Sequence, residues 1–359
     1  MYFEKTFMHL KNIPLIIIIL IVFIWEGCSN KTTGPEVDSN QLETVVPEDV
    51  GYSTAKLNEA KNYAPQSGYN AVIALYNGKI LFSWGEVDKN YSVHSIWKPF
   101  VSALYGIHKE RGEINLDLTI ADLGIDDIAP VLTSEEKKAT IRDLLKSRSG
   151  IYHEAAAETQ EMKDMRPQRG SHPHNTFFYY NNWDFNVGGV IFEQLTGAKI
   201  FEDFKKEIAD PIGMQDFDIN QCFKNYELNV SNHPSWRFRM SARDLARFGA
   251  LYQMNGVWNN KQIISPQWIT ESTTSYSVLD SASGVGYGYR WKVIPENSAF
   301  AQLIGSKGYF HTGVGVQIVL VLNDLDLVIV EMMDTDGNWV DPGDKGIELG
   351  LKIINSKIN

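Results

Sequence analysis

The sequence predicts an α+β fold: an antiparallel sheet flanked by helices, with a helical region inserted between its first and last strands. Three observations predict it. Asn77-Gly78 separates two apolar runs, 71–76 and 79–84, the strongest short-range signal for a β-hairpin. From 95 to about 274 the pattern is helical, and strand-like runs return at 309–322 and 327–333. A lone hairpin leaves bare edges, so the early hairpin is expected to pair with the late strands, across the inserted helices.

Taken in order, the first segment reads as a targeting sequence. Lys5 and Lys11 precede an unbroken apolar run over 15–25. That is too short for a membrane span, which needs about 20 residues, and suits a signal peptide. The run ends at Glu26-Gly27-Cys28 and gives way to a polar stretch. A small residue directly before a cysteine resembles a bacterial lipoprotein processing site, although Trp25 stands where an aliphatic residue is usual. The expectation is a signal peptide at 1–27, a lipid-anchored Cys28, and a polar linker at 28–47. The protein would then be exported and held at the bacterial membrane through that anchor. A plain signal peptide or an uncleaved anchor is the alternative. A single domain follows over 48–356, its sheet part at about 48–94 and 275–356 and its helical insertion at about 95–274.

Local signals support the elements. Ser53 is placed to cap a helix, and Thr140 with Asp143, and Ser241 with Asp244, have the spacing of capping boxes. Gly112, Gly197 and Gly256 sit where helix C-termini need a left-handed residue, and Ser265-Pro266 opens another helix. A last helix is expected at about 344–354.

The chain has 359 residues, 43% of them hydrophobic, enough for a large core. Lysine plus arginine total 33 against 44 acidic residues, a net charge of −11, with the acids scattered. No basic surface for a polyanion is expected, and so no nucleic-acid partner. Cys222, the other cysteine besides Cys28, has no base motif beside it and reads as a buried small hydrophobe.

Three short motifs carry chemistry. In Ser95-Ile96-Trp97-Lys98, residues three apart share a helix face, so the Lys98 amine can reach the Ser95 oxygen. Serine needs such a base to act as a nucleophile. Ser95 would sit at the helix start, where free N–H groups favour negative charge. The apolar sequel suggests burial, which lowers a lysine pKa as a base requires. Alone, the motif is weak. In Tyr180-Asn181-Asn182, a phenol and a carboxamide at alternate positions of an extended segment can face one cleft, the phenol relaying a proton. In His311-Thr312-Gly313-Val314, small residues let a substrate backbone approach a strand edge. A backbone N–H after the glycine could join that of Ser95 as an oxyanion hole. Taken singly, each has a bland reading as a cap, a packing segment or an edge strand.

In this order the three motifs resemble those of the serine β-lactamase-like, penicillin-binding family. That family contains class C β-lactamases, D-alanyl-D-alanine carboxypeptidases, and esterase, amidase and 6-aminohexanoate-dimer hydrolase relatives. Residues 144–151 resemble its LLxHTSGL segment, with Lys146, Ser147 and Arg148 as unusual choices. Residues 240–249, 256–263 and 287–291 resemble its esterase-like branch, and the likeness spans about 46–355. The resemblance implies a β-lactamase/transpeptidase-like fold that cleaves small ester, amide or peptide substrates without a cofactor or metal. Ser95 would be acylated, Lys98 would take its proton, and Tyr180 would relay protons. Asn182, His311, Thr312 and Gly313 would contact substrate, with Ser95 and Val314 as oxyanion donors.

One departure bears on substrate. Most lactamases and carboxypeptidases carry lysine where His311 stands, a fixed charge for a carboxylate. Histidine is mainly neutral at pH 7, which favours an esterase, amidase or D-amino-acid peptidase over a dedicated β-lactamase or D,D-carboxypeptidase. Two rivals remain: a metal hydrolase using His153-Glu154 and His172-Pro173-His174, which lack the H-E-x-x-H spacing, and a non-catalytic penicillin- or cell-wall-binding homologue.

Overall fold

The computed structural model describes residues 41–358; the expected leader, Cys28 and most of the linker lie outside them. At its centre is an eight-stranded antiparallel sheet. The Asn77-Gly78 turn joins β1 (Ala71–Tyr76) to β2 (Lys79–Gly85). The remaining strands come late: β5 (Ser277–Asp280), β6 (Val285–Tyr287), β7 (Lys292–Ile294), β8 (Gly308–Thr312), β9 (Ile318–Leu322) and β10 (Leu327–Met332). A two-residue ribbon joins 91–92 to 239–240, and β3 (Phe223–Asn225) pairs with β4 (Ser235–Arg237) within the helical stretch. The order across the large sheet is β2-β1-β10-β9-β8-β7-β6-β5. Ala71 lies opposite Met332 and Tyr76 opposite Leu327, so the early hairpin does complete the late sheet.

Both sheet faces are covered. On one, α1 (Thr54–Tyr63) and α6 (Asp344–Ile354) pack together, with Leu57, Leu349 and Ile353 in a core shared with Val72, Ala74 and Ile329. On the other, α5 (Ala242–Gln253) lies across β1, β9 and β10. Behind it, α2 (Trp97–Glu110), the short α3 (Ile141–Leu145) and α4 (Asn182–Thr196) form the larger core. Burial on both faces explains why β1 reads as an unbroken apolar run, and β10 as one interrupted only by the buried Glu331, rather than as alternating patterns.

Several caps form as expected. Ser53, Thr140 and Ser265 each accept a backbone N–H at their helix start, and Thr140 with Asp143 makes a complete box. The Ser241–Asp244 box is only half made. Ser241 accepts from the Asp244 N–H, but the Asp244 carboxylate turns away to the backbone N–H groups of Gln215, Asp216 and Phe217. Two expectations are corrected. The 309–322 run is two strands, broken at 313–317 by a turn in which the Gly313 N–H bonds the Gln317 carbonyl. Asn182 does not share an extended segment with Tyr180: it is the first residue of α4, capped by Asn181.

Candidate active site

The nucleophile turn is built by the backbone around it. Residues 91–92 pair with 239–240, and the Val93 N–H donates to the Phe238 carbonyl at 3.1 Å. His94 then takes a left-handed φ of 46°, a conformation that costs a non-glycine residue energy and concentrates at functional turns. Its Nε2 lies 2.7 Å from Thr335 Oγ1. A 3₁₀ turn over His94–Ile96 follows and leads into α2. Ser95 thus sits just before the helix, and Lys98 one turn later.

Lys98 is 2% exposed. Its Nζ lies 2.7 Å from Ser95 Oγ and 2.8 Å from the Tyr180 hydroxyl, and 4.5 Å from the ring centroids of both Tyr180 and Phe185. Burial holds the amine well below the ordinary lysine value of 10.5, and the positive charges of Arg290, Lys292 and Arg237 push it further down. Burial pushes the Tyr180 phenol the other way, so it stays protonated. Of the three groups in contact, the amine is therefore the base and the phenol the proton-carrying partner.

The Lys146-Ser147-Arg148 segment, unusual by its sequence, positions Tyr180. The Ser147 hydroxyl donates to the Tyr179 carbonyl at 2.6 Å and accepts the Asn181 N–H at 3.0 Å, gripping both neighbours of Tyr180. Arg148 donates to the Asn175 carbonyl from Nε and Nη2. Asn182 donates to the Ala157 carbonyl at 2.7 Å, and its buried Oδ1 lacks a partner.

The third motif closes the site from β8. A Cβ on Gly313 would lie 2.7 Å from the Val93 carbonyl oxygen. Glycine here lets the strand end approach the nucleophile turn itself. Neither the Ser95 nor the Val314 N–H has a hydrogen-bond acceptor among the described residues, and both residues line one cleft. His311 is fully buried, and burial followed by the charges of Lys292 and Lys98 holds it far below the usual imidazole value. It is neutral. Its Nδ1 lies 3.0 Å from the Thr312 carbonyl and therefore carries the proton, leaving Nε2 without a partner.

Four residues at the site escaped the sequence reading. Lys292 on β7 places Nζ 2.7 Å from Thr312 Oγ1, and burial lowers it to about 8. A lysine charge thus enters beside the third motif from the neighbouring strand. Arg290 is fully buried, its guanidinium 5.6 Å from the Phe185 ring that Lys98 also touches. It fits because Gly188 on α4 has no Cβ, which would fall 1.9 Å from Nη2. Arg237 and His94 line the cleft with Ser95, Lys98, Asn182 and Val314. Burial lowers His94 to about 4. Arg290 lies within the 287–291 likeness and Lys292 directly after it; Arg237 offered no sequence signal.

Larger hollows of about 370 and 670 Å³ lie elsewhere, near Trp258 and Trp339, but neither contains a nucleophile with a base. The histidines of the metal reading are otherwise engaged. His153 contacts the Glu154 and Ile128 carbonyls, His172 stacks on Phe177, and His174 meets Asp143. No group of three metal-ligating side chains occurs among the described residues. Cys222 is only half-buried, with its thiol raised to about 11 by desolvation, and so unreactive at neutral pH.

The sequence assigns the family. The Beta-lactamase family model matches residues 70–349. The chain belongs to the Beta-lactamase family. Members of that family are generally serine hydrolases that act on amide and ester bonds. Solved structures agree on the fold. A Bacillus anthracis protein provisionally described as a 6-aminohexanoate-dimer hydrolase matches with a TM-score of 0.62 at 16% identity, over 88% of this chain and 87% of its own. An octameric penicillin-binding protein homologue from Pyrococcus abyssi matches at 0.59 and 17%, over 85% and 79%. The D-alanine carboxypeptidase AmpC of Burkholderia cenocepacia matches at 0.59 and 14%, over 85% and 100%. No curated protein sequence matches the chain. Among the described residues no helix is long and apolar enough to cross a membrane.

Proposed function

We propose that the protein hydrolyses an ester or amide through an acyl-enzyme on Ser95. The observation that carries this reading is Lys98: a buried amine, depressed in pKa, in contact with both the Ser95 oxygen and the Tyr180 phenol. Ser95 Oγ attacks the substrate carbonyl and its proton passes to neutral Lys98. The carbonyl oxygen, now negative, is received by the Ser95 and Val314 N–H groups. Tyr180 gives its proton to the leaving group and regains one from Lys98, so the acyl-enzyme forms with the relay reset. Water then enters by the same path, Tyr180 and Lys98 taking its proton, and the acid product departs.

The neutral, buried His311 favours an esterase, amidase or D-amino-acid peptidase over a β-lactamase or D,D-carboxypeptidase. Export and lipid anchoring at Cys28 complete the reading, on the strength of the leader-like sequence. Turnover of 4-nitrophenyl acetate and of D-alanyl peptide amides tests it. Ser95→Ala is expected to lower kcat about a millionfold, the scale of losing a serine nucleophile. Turnover by Ser95→Ala within tenfold of the parent would overturn it.

A further inference from the structure

Arg237 is a cation without a partner at the mouth of this site. Among the described residues its side chain makes no hydrogen bond and no ion pair. Its backbone is fixed on both sides: Arg237 pairs with Phe223, and the Phe238 carbonyl holds the Val93 N–H, two residues before Ser95. The guanidinium is thereby anchored at the level of the nucleophile. Its charge reaches both His94 and Lys98. The carboxylate that acts on it electrostatically, Glu227, is already bonded by the Ala157 N–H and Asn225 Nδ2.

A half-buried, unpaired guanidinium is costly unless something fills its fork, and a carboxylate does so with two parallel bonds. The other groups at the site do not compete for one. His311 is neutral, and Lys292 is committed to Thr312 and is not among the walls of this cleft. Beside Ser95, Lys98 and His94, the cleft's polar walls are Thr159, Asn182, Asn186, Ser235 and Arg237. Tyr180, which serves the leaving group, is not one of them. We infer that Arg237 binds a carboxylate on the acyl portion of the substrate, so that the preferred substrate is a half-ester or half-amide of a dicarboxylic acid or an acidic acyl group. This rests on the Ser95 reading above and deepens it.

The test compares two esters that differ in one charge: mono-4-nitrophenyl adipate and its methyl-capped diester. The parent is expected to favour the free acid in kcat/KM by about ten- to a hundredfold, the scale of a hydrogen-bonded charge. Arg237→Gln is expected to bring that ratio near one, and Arg237→Lys to restore part of it. A general loss of folding would lower both substrates together and leave the ratio standing. A carboxylate on the leaving group instead, as in 4-acetoxybenzoate, is expected to give no such dependence on residue 237. An unchanged ratio in Arg237→Gln, or a ratio abolished by Lys292→Met in its place, overturns the assignment. If the parent hydrolyses neither adipate ester nor 4-nitrophenyl acetate, the Ser95 reading fails. Equal turnover of the two adipates overturns the Arg237 assignment alone.

Discussion

Arg290 and Arg237 both act on Lys98, but their surroundings make them opposites. Arg290 is sealed beneath α4, with its guanidinium over Trp97 and Phe185 and one donor on the Asp184 carbonyl at 3.3 Å. No substrate can reach it. Its charge is spent inward, opposing protonation of Lys98 in a region where little water screens it. Arg237 stands in the cleft wall, where its charge can meet a ligand. The lesson is that one kind of residue sets a pKa when enclosed and recognises a substrate when open. In this chain the inner end of the site governs proton transfer and the mouth governs specificity.

That division can be broken at either end. The largest effect is expected at the inner end: Lys98→Ala should cost kcat about three or more orders of magnitude, as the loss of a nucleophile's base does, whatever charge the substrate carries. A variant that keeps a tenth of parental kcat would assign the base elsewhere. A smaller effect should separate tuning from chemistry. Activity needs neutral Lys98, so kcat/KM rises with pH through its depressed pKa and then levels off. Arg290→Gln removes a like charge, raises the Lys98 pKa, and should move that acid limb upward by about one pH unit, with far-UV circular dichroism reporting that the fold survives. A limb that stays in place or moves down would show that burial alone governs Lys98. Arg237→Gln should remove the substrate-charge ratio and move the acid limb upward less than Arg290→Gln does, because its charge acts on Lys98 more weakly.

What the sequence disclosed follows the same division. Ser95 and Lys98 were legible because helical spacing puts them on one face, and the sheet was legible because Asn77-Gly78 punctuates two apolar runs. Tyr180 was legible as a residue but not as a position. Its placement depends on the Ser147 hydroxyl bonding both flanking residues, which spacing cannot reveal. Asn182 was misplaced because Asn181 looks the same in an extended segment as in its actual role as a helix cap. Arg290 was legible only as part of the 287–291 likeness, with no role attached, and Arg237 was silent. One depends on the missing Cβ of Gly188 on a distant helix, the other on lacking a partner, and neither property is local to its sequence.

The central claim is a covalent one, and intact-protein mass spectrometry reads it directly. The protein, mixed with excess 4-nitrophenyl ester and quenched in acid within the first turnovers, should gain the mass of one acyl group. Peptide mapping should place that group on Ser95, and Ser95→Ala should gain none. An adduct on another residue, or equal labelling of Ser95→Ala, would contradict the account.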